Sequence, residues 1–327
     1  MEGLRVYVTR DIPEEGIRIL EESGEILPII RRQAEAPSRG ELLEGVVGAV
    51  GLLSLLSDKV DAELLDRAPD LRVVANYAVG YDNVDVAAAS ERGIWVTNTP
   101  DVLTEATADL AFALLLACAR RVVEGDAYMR AGSFTGWQPK LLLGVDLAGA
   151  TLGVVGLGRI GQAVARRARG FGMRVVYHGR HRLDAAAEAG AEFMALDELL
   201  RVSDVVSLHC PGGAATRHML DARRLELMKP GAILVNTGRG TLVDEGALVE
   251  ALRTGRLRGA GLDVFESEPA LHAGLAELPN VVLAPHAGSA TEGTRARMAA
   301  LAAQNVVAAL RGQRPPNAVN EPRGARS

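Results

Sequence analysis

Short runs of Val, Ile and Leu recur along the chain, separated by stretches whose apolar residues fall at helical spacing. Strand-like runs lie at 6–9 (VYVT), 49–56 (AVGLLSLL), 71–78 (LRVVANYA) and 93–98 (GIWVTN). Between them, 12–23 (IPEEGIRILEES) and 61–68 (DAELLDRA) have helical periodicity. Alternation of this kind predicts parallel strands joined by crossover helices. The run 104–122 predicts one long helix, with Thr104 as its N-cap after Pro100. A second series follows at 151–158, 174–178, 203–210, 231–238 and 280–286. It closes with an amphipathic helix over 291–312 that stops at Gly312, ahead of Pro315 and Pro316. The halves share this rhythm without a close sequence repeat, so the pattern predicts an α/β protein of two doubly wound parallel-sheet domains.

Length and composition narrow the class. A chain of 327 residues suits two domains of roughly 150 residues each. An apolar fraction of 48% with 36 glycines argues against a disordered chain. The net charge of −5 offers no general attraction to nucleic acid or an anionic membrane. Cys118 and Cys210 lie far apart and predict small buried side chains in a reducing compartment. No group of residues has metal-ligand spacing, so no metal site is expected. The chain enters a strand-like run at once, without a hydrophobic leader, and its longest apolar run, 110–119, is about half a bilayer span. The expectation is a cytoplasmic protein with a small-molecule partner.

The first chemical signal is GLGRIG at 156–161, a G-x-G-x-x-G pattern that follows an apolar strand and opens a helix. Gly156 permits the tight turn, Gly158 lets the backbone approach a pyrophosphate, and Gly161 lets helix and strand pack closely. Arg159 and Ile160 complete this dinucleotide-binding turn, whose helix N-terminus meets phosphate charge. About 20 residues on, such folds place a carboxylate on the ribose 2′-hydroxyl of NAD. Here the stretch is VVYHGRHR, with Gly179, Arg180 and Arg182. No Asp or Glu lies between Asp146 and Asp184, while seven Arg do. Two guanidinium groups there would hold the 2′-phosphate of NADP, which a carboxylate would repel. The expectation is an NADP-preferring site with NAD possible. The alternative is two ordinary surface arginines in an Arg-rich chain.

Three later segments, NTGRG (236–240), GLDVFESEP (261–269) and LAPHAGSAT (283–291), each follow a strand-like run. That is where an open parallel sheet builds its site. Together with the fingerprint and NYAVGYDNVD (76–85), these motifs resemble the D-2-hydroxyacid dehydrogenase family over nearly the whole chain. Within it they look most like the glyoxylate/hydroxypyruvate reductase branch. The resemblance implies a flavodoxin-like substrate domain, residues 1–99 and 288–327, with a Rossmann coenzyme domain, 100–287, inserted in it and the active site in the cleft.

The same resemblance implies the roles. Arg239 would clamp the substrate carboxylate, a task suited to a planar permanent cation. His286 would exchange a proton with the substrate oxygen, and Glu268 would hold its other ring nitrogen. Glu266, two residues earlier, is the competing carboxylate. Val79 and Gly80 would offer backbone N–H groups to the substrate, with Leu55, Ser289 and Trp137 as further substrate contacts. Trp137 would come from a partner subunit of a homodimer, or else simply pack in its interface. Cys210, Pro211, Thr216, Thr237, Gly238, Asp263 and Gly288 would line the cofactor channel, Asp263 bonding the nicotinamide carboxamide. Gly238 stands where relatives more often have Ala or Ser, which suggests a more mobile loop. His209, His218 and His272 read as satisfied core histidines.

The function expected on this basis is NADPH-dependent reduction of glyoxylate to glycolate and of hydroxypyruvate to D-glycerate. Alternatives are a phosphoglycerate or D-lactate type of dehydrogenase, or a nucleotide-sensing binding protein.

Overall fold

The computed structural model describes residues 3–324. The chain divides into two compact units, Met1–Leu103 with Ser289–Ser327, and Thr104–Gly288 inserted between them in sequence. The first unit holds β1 (Leu4–Val8), β2 (Ile26–Ile30), β3 (Gly51–Ser54), β4 (Val73–Asn76) and β5 (Trp95–Thr97). They form one parallel sheet in the order β2-β1-β3-β4-β5, the flavodoxin-like arrangement. The second unit holds β6 (Thr151–Val155), β7 (Arg174–His178), β8 (Glu192–Phe193), β9 (Val205–Leu208), β10 (Ala232–Asn236), β11 (Leu257–Leu262) and β12 (Val281–Leu283). Their order, β12-β11-β10-β9-β6-β7-β8, is that of a Rossmann sheet extended by one strand.

The strands read as continuous apolar runs because helices cover both faces of each sheet. Every residue of β3, β4, β6, β9 and β10 is buried. In the second unit this divides the core in two. Leu152, Val154 and Val235 pack with Phe112 and Leu115 of the long helix, whereas Val206 and Leu234 pack with Leu199 and Leu248. Burying each such side chain contributes about 1.5–3 kcal/mol before conformational entropy is subtracted. The last helix, Glu292–Leu310, starts where the Thr291 hydroxyl accepts the Thr294 N–H and ends ahead of Gly312 at φ +72°.

Several elements differ from the sequence pattern. The helix expected over 104–122 runs Thr104–Arg120, with Thr104 its first residue and not its cap. It stops because Arg121 turns left-handed at φ +53°, and a separate helix, Val122–Arg130, follows without burying a single residue. β2 went unread because Pro28 interrupts it. It is an edge strand paired only with β1, the place in a sheet where Pro is tolerated. The expected strands at 49–56, 71–78 and 203–210 are trimmed to β3, β4 and β9.

Candidate active site

β10, β11 and β12 are neighbours in one parallel sheet, so the loops after their C-terminal ends lie side by side. Asp263, directly after β11, organises them. It is buried, its backbone carbonyl accepts the His286 N–H at 2.9 Å, and its carboxylate oxygens accept the N–H groups of Ala287 at 2.6 Å and Gly288 at 2.8 Å. Burial raises its carboxyl above the usual range, against the pull of these two donors and of His286. The bonds hold His286 at φ +55°, a conformation that a residue with a side chain rarely adopts.

His286 Nδ1 stands 2.8 Å from Glu268 Oε2, and Glu268 Oε1 accepts the Phe265 N–H at 2.9 Å. Burial pushes the Glu268 carboxyl up. The hydrogen bond and charge of His286, the Phe265 N–H and the nearby Arg239 charge outweigh it, and the carboxyl is held below its ordinary value. An ionised Glu268 accepts only, so Nδ1 carries the hydrogen and Nε2 is the nitrogen left open for proton exchange. Nε2 has no hydrogen-bond partner among the described residues. Arg239, after β10, is braced by its own loop: its carbonyl accepts from Asn236 Nδ2 at 2.8 Å and its Nη1 donates to the Gly238 carbonyl at 2.9 Å. The structure therefore brings Arg239, Glu268 and His286 together in one unit. A cation, a carboxylate and an imidazole so arranged can hold an anion and exchange a proton beside it.

Glu266 is excluded from that role by its own partners. Its Oε1 accepts from Arg217 Nη2 and faces His218 Nε2, both at 2.6 Å, and its N–H donates to the buried Glu245 carboxylate at 2.8 Å. Of the three expected core histidines, only His209 is one. His218 is half-buried and faces Glu266. His272 is exposed and caps the helix Ala273–Ala276. His209, after β9, meets the Ser207 hydroxyl at 2.7 Å and the Thr237 hydroxyl at 3.4 Å. Gly238 is not loose: its N–H donates to Asn236 Oδ1 at 3.0 Å, and a Cβ there would meet the Cys210 and Leu208 carbonyl oxygens at 3.2 Å.

The fingerprint lies between β6 and the helix Arg159–Gly170. Gly156 takes φ +98°, and a Cβ on Gly161 would stand 2.1 Å from the Gly156 carbonyl oxygen. A Cβ on Gly158 would meet nothing within 4 Å, and no side chain caps the helix that Gly158 begins. That open, positively polarised turn, with half-buried Ile160 packed beneath it and Arg159 exposed, fits a dinucleotide pyrophosphate. Cys210 keeps its proton, since burial pushes its thiol up to about 11. The loop after it closes on itself, Thr216 Oγ1 donating to the Pro211 carbonyl at 3.0 Å.

The stretch after β7 splits the two arginines. Arg182 is tied to the buried Glu188 at 2.8 Å, and Glu188 also accepts the Tyr177 hydroxyl at 2.8 Å. The Arg182 bonds first, then the Tyr177 bond, hold that carboxyl low. Arg180, beside half-buried Gly179, is exposed and makes no ion pair or hydrogen bond among the described residues. Glu188 lies just beyond the carboxylate-free interval between Asp146 and Asp184, which is why the sequence pairs Arg182 with a phosphate and the fold pairs it with Glu188.

In the first unit, Leu55 follows β3 and Val79 and Gly80 follow β4. The Leu55 N–H is committed to Asp58 Oδ2 at 2.7 Å, so Leu55 can offer a ligand only its side chain. The Val79 and Gly80 carbonyls accept from Asn98 Nδ2 and Asn76 Nδ2, each at 2.8 Å, whereas their N–H groups donate to no acceptor among the described residues. The two asparagines were missed in the sequence, where an Asn at a strand end reads only as a turn former. Ser289 is half-buried, and its carbonyl accepts the Thr291 N–H at 2.8 Å. Trp137 is 83% exposed.

Comparison with known proteins agrees with this geometry. The profile of the D-isomer specific 2-hydroxyacid dehydrogenase NAD binding domain matches residues 112–288. A glyoxylate reductase of Thermococcus litoralis is 53% identical over 322 residues, covering 97% of each chain. The crystal structure of a Thermus thermophilus protein superposes with a TM-score of 0.92 at 54% identity, over 97% of this chain and 100% of that one. A Sinorhizobium meliloti NADPH-dependent glyoxylate/hydroxypyruvate reductase, crystallised with NADP and malonate, gives 0.85 at 37% identity, over 99% and 98%. The chain is thus an NAD(P)-dependent oxidoreductase and belongs to the D-isomer specific 2-hydroxyacid dehydrogenase family, on its glyoxylate reductase branch.

Proposed function

We propose that this enzyme is an NADPH-preferring reductase of small 2-oxo acids, converting glyoxylate to glycolate and hydroxypyruvate to D-glycerate. The observation that carries the reading is His286, anchored to Glu268 at Nδ1 and open at Nε2, with Arg239 close enough to lower the same carboxylate. Bound NADPH supplies the hydride. Arg239 and the Val79 and Gly80 amides grip the substrate carboxylate. His286 delivers the Nε2 proton to the carbonyl oxygen as that oxygen gains negative charge, and Glu268 keeps the ring in one tautomer and balances the charge it carries before transfer. Asp263 turns His286 into place and bonds the carboxamide of the nicotinamide. Leu55 and Ser289 complete the substrate wall.

Preference for the phosphorylated cofactor rests on Arg180, exposed where a carboxylate would otherwise select NAD. Arg182 joins it only if the 2′-phosphate competes with Glu188. The Sinorhizobium relative is named as NADPH-dependent and holds NADP. We further propose a homodimer, in which a second copy covers the exposed apolar segment around Trp137.

Steady-state kinetics with glyoxylate, hydroxypyruvate, pyruvate and 3-phosphohydroxypyruvate, each with NADPH and NADH, test the assignment. Glyoxylate and hydroxypyruvate with NADPH are expected to give the highest kcat/KM, and a preference for NADH or for the phosphorylated acid would overturn it. His286→Ala is expected to lower kcat by about 10²–10⁴-fold with NADPH binding retained. Unchanged turnover would remove His286 from the chemistry.

A further inference from the structure

The loop 78–81 presents three consecutive peptide groups in one uncommon state. The Ala78 carbonyl accepts the Thr99 N–H at 2.9 Å, the Val79 carbonyl accepts Asn98 Nδ2 at 2.8 Å, and the Gly80 carbonyl accepts Asn76 Nδ2 at 2.8 Å. In a trans peptide the N–H points opposite to the carbonyl of the preceding residue. Holding these carbonyls therefore sets the directions of the Val79, Gly80 and Tyr81 N–H groups. None of those three donates to an acceptor among the described residues. Backbone donors away from solvent are almost always paired, and Val79 and Gly80 are only half-exposed.

Behind the loop the asparagines are themselves locked. Asn76, fully buried at the end of β4, exchanges amide hydrogen bonds with Asn83 at 3.1 and 3.2 Å and accepts the Ser54 hydroxyl at 3.2 Å. Asn83 in turn donates to the Leu55 and Asp58 carbonyls at 3.1 and 2.9 Å. Asp58, also buried, accepts from Thr9, from the Leu55 N–H and from Arg10. A polar network this enclosed costs free energy unless every member is satisfied, and once satisfied it is rigid.

We infer that Asn98 and Asn76 are positioning residues for the substrate carboxylate: Asn98 aims the Gly80 N–H, Asn76 aims the Tyr81 N–H, and the Tyr81 amide joins those of Val79 and Gly80 as a third donor. This rests on the proposed reduction of 2-oxo acids and deepens it. The loop is a preorganised anion-binding turn whose geometry is set from the carbonyl side by two amide side chains that never touch substrate.

The test compares Asn98→Ala and Asn76→Ala with the wild type in glyoxylate kinetics and in calorimetric binding of oxalate, a carboxylate that cannot be reduced, to the NADP-loaded protein. Each variant is expected to raise the KM for glyoxylate and the Kd for oxalate about tenfold, with NADPH affinity within about twofold of wild type. A KM and a Kd both unchanged, or an equal loss of NADPH affinity, would overturn the inference. Asn98 is half-exposed and its side chain makes one hydrogen bond among the described residues, so its variant decides the matter if Asn76→Ala does not fold. A wild type that neither reduces glyoxylate nor binds oxalate would instead refute the underlying function.

Discussion

Two histidines that follow strands of the same sheet, His209 after β9 and His286 after β12, show how partners decide what the same side chain does. His286 faces an ionised carboxylate and keeps one nitrogen open. His209 faces only the hydroxyls of Ser207 and Thr237, and burial lowers its pKa to about 4 from 6.5. A neutral ring accepts from one hydroxyl and donates to the other, and so holds Thr237 without adding charge beside it. Its cost is pH sensitivity. Because the folded pKa lies below the unfolded one, the unfolded chain takes up a proton between pH 6.5 and about 4 that the fold refuses, and stability falls as pH falls through that window. A shift of this size corresponds to about 3 kcal/mol, fully lost only below the folded pKa. Thermal unfolding followed from pH 7 to pH 4 should therefore show a shallower loss of Tm in His209→Asn than in the wild type. Parallel slopes would mean that the ring is not protected in the way its surroundings imply.

At the scale of single elements, the loop after β7 argues the cofactor preference more finely than its sequence did. Two arginines in GRHR suggested two phosphate ligands, yet the fold ties Arg182 to Glu188, which also accepts the Tyr177 hydroxyl, and leaves Arg180 exposed. Arg180→Ala should reduce kcat/KM with NADPH by about 10–100-fold, the worth of one or two hydrogen bonds to a charged group, while kcat/KM with NADH stays within about twofold. Glu188→Gln weakens the hold on Arg182 and should move the NADPH/NADH ratio upward. An Arg180 variant that loses both cofactors equally would place that side chain outside phosphate recognition. The same loop shows where sequence reading stops. Glycines, an arginine, a glutamate and a histidine were legible because their order and spacing serve chemistry. Spacing alone left Glu266 and Glu268 as rivals for the imidazole, since both lie on one short loop, and the family resemblance favoured Glu268, which is the one that meets it. Only the partners Arg217, His218 and Glu245 draw Glu266 the other way. Asn76 and Asn98 were illegible for a related reason: their work is to hold backbone carbonyls, and no spacing rule records that.

For the molecule as a whole, the parallel sheets were visible in the β–α rhythm, because buried parallel strands must be apolar runs and crossovers must be helical, whereas the discontinuous first unit came only from the family resemblance. Of the strands that rhythm hid, β8 has only two residues and β2 carries a proline at a sheet edge. The helix it hid, Val122–Arg130, has no buried residue from which an apolar stripe could be read. That second omission bears on assembly. A nine-residue helix without a buried face is too short to be stable on its own in water. Val122, Val123, Met129, Phe134, Trp137 and Leu143 are all exposed within this one stretch, a concentration of apolar surface that isolated monomers avoid. A second copy of the chain is the partner that would cover it, and the prediction is a particle of twice the 34.5 kDa chain mass in light scattering at about 10 µM, well above the dissociation constant of a standard-sized dimer interface. Replacing Phe134 and Trp137 together with Ser removes the two largest exposed aromatic side chains of the segment and should shift that particle to the monomer, with a Tm that becomes independent of concentration. A wild type that scatters as a monomer, or a double variant that stays dimeric, would show that this segment is not the dimer contact.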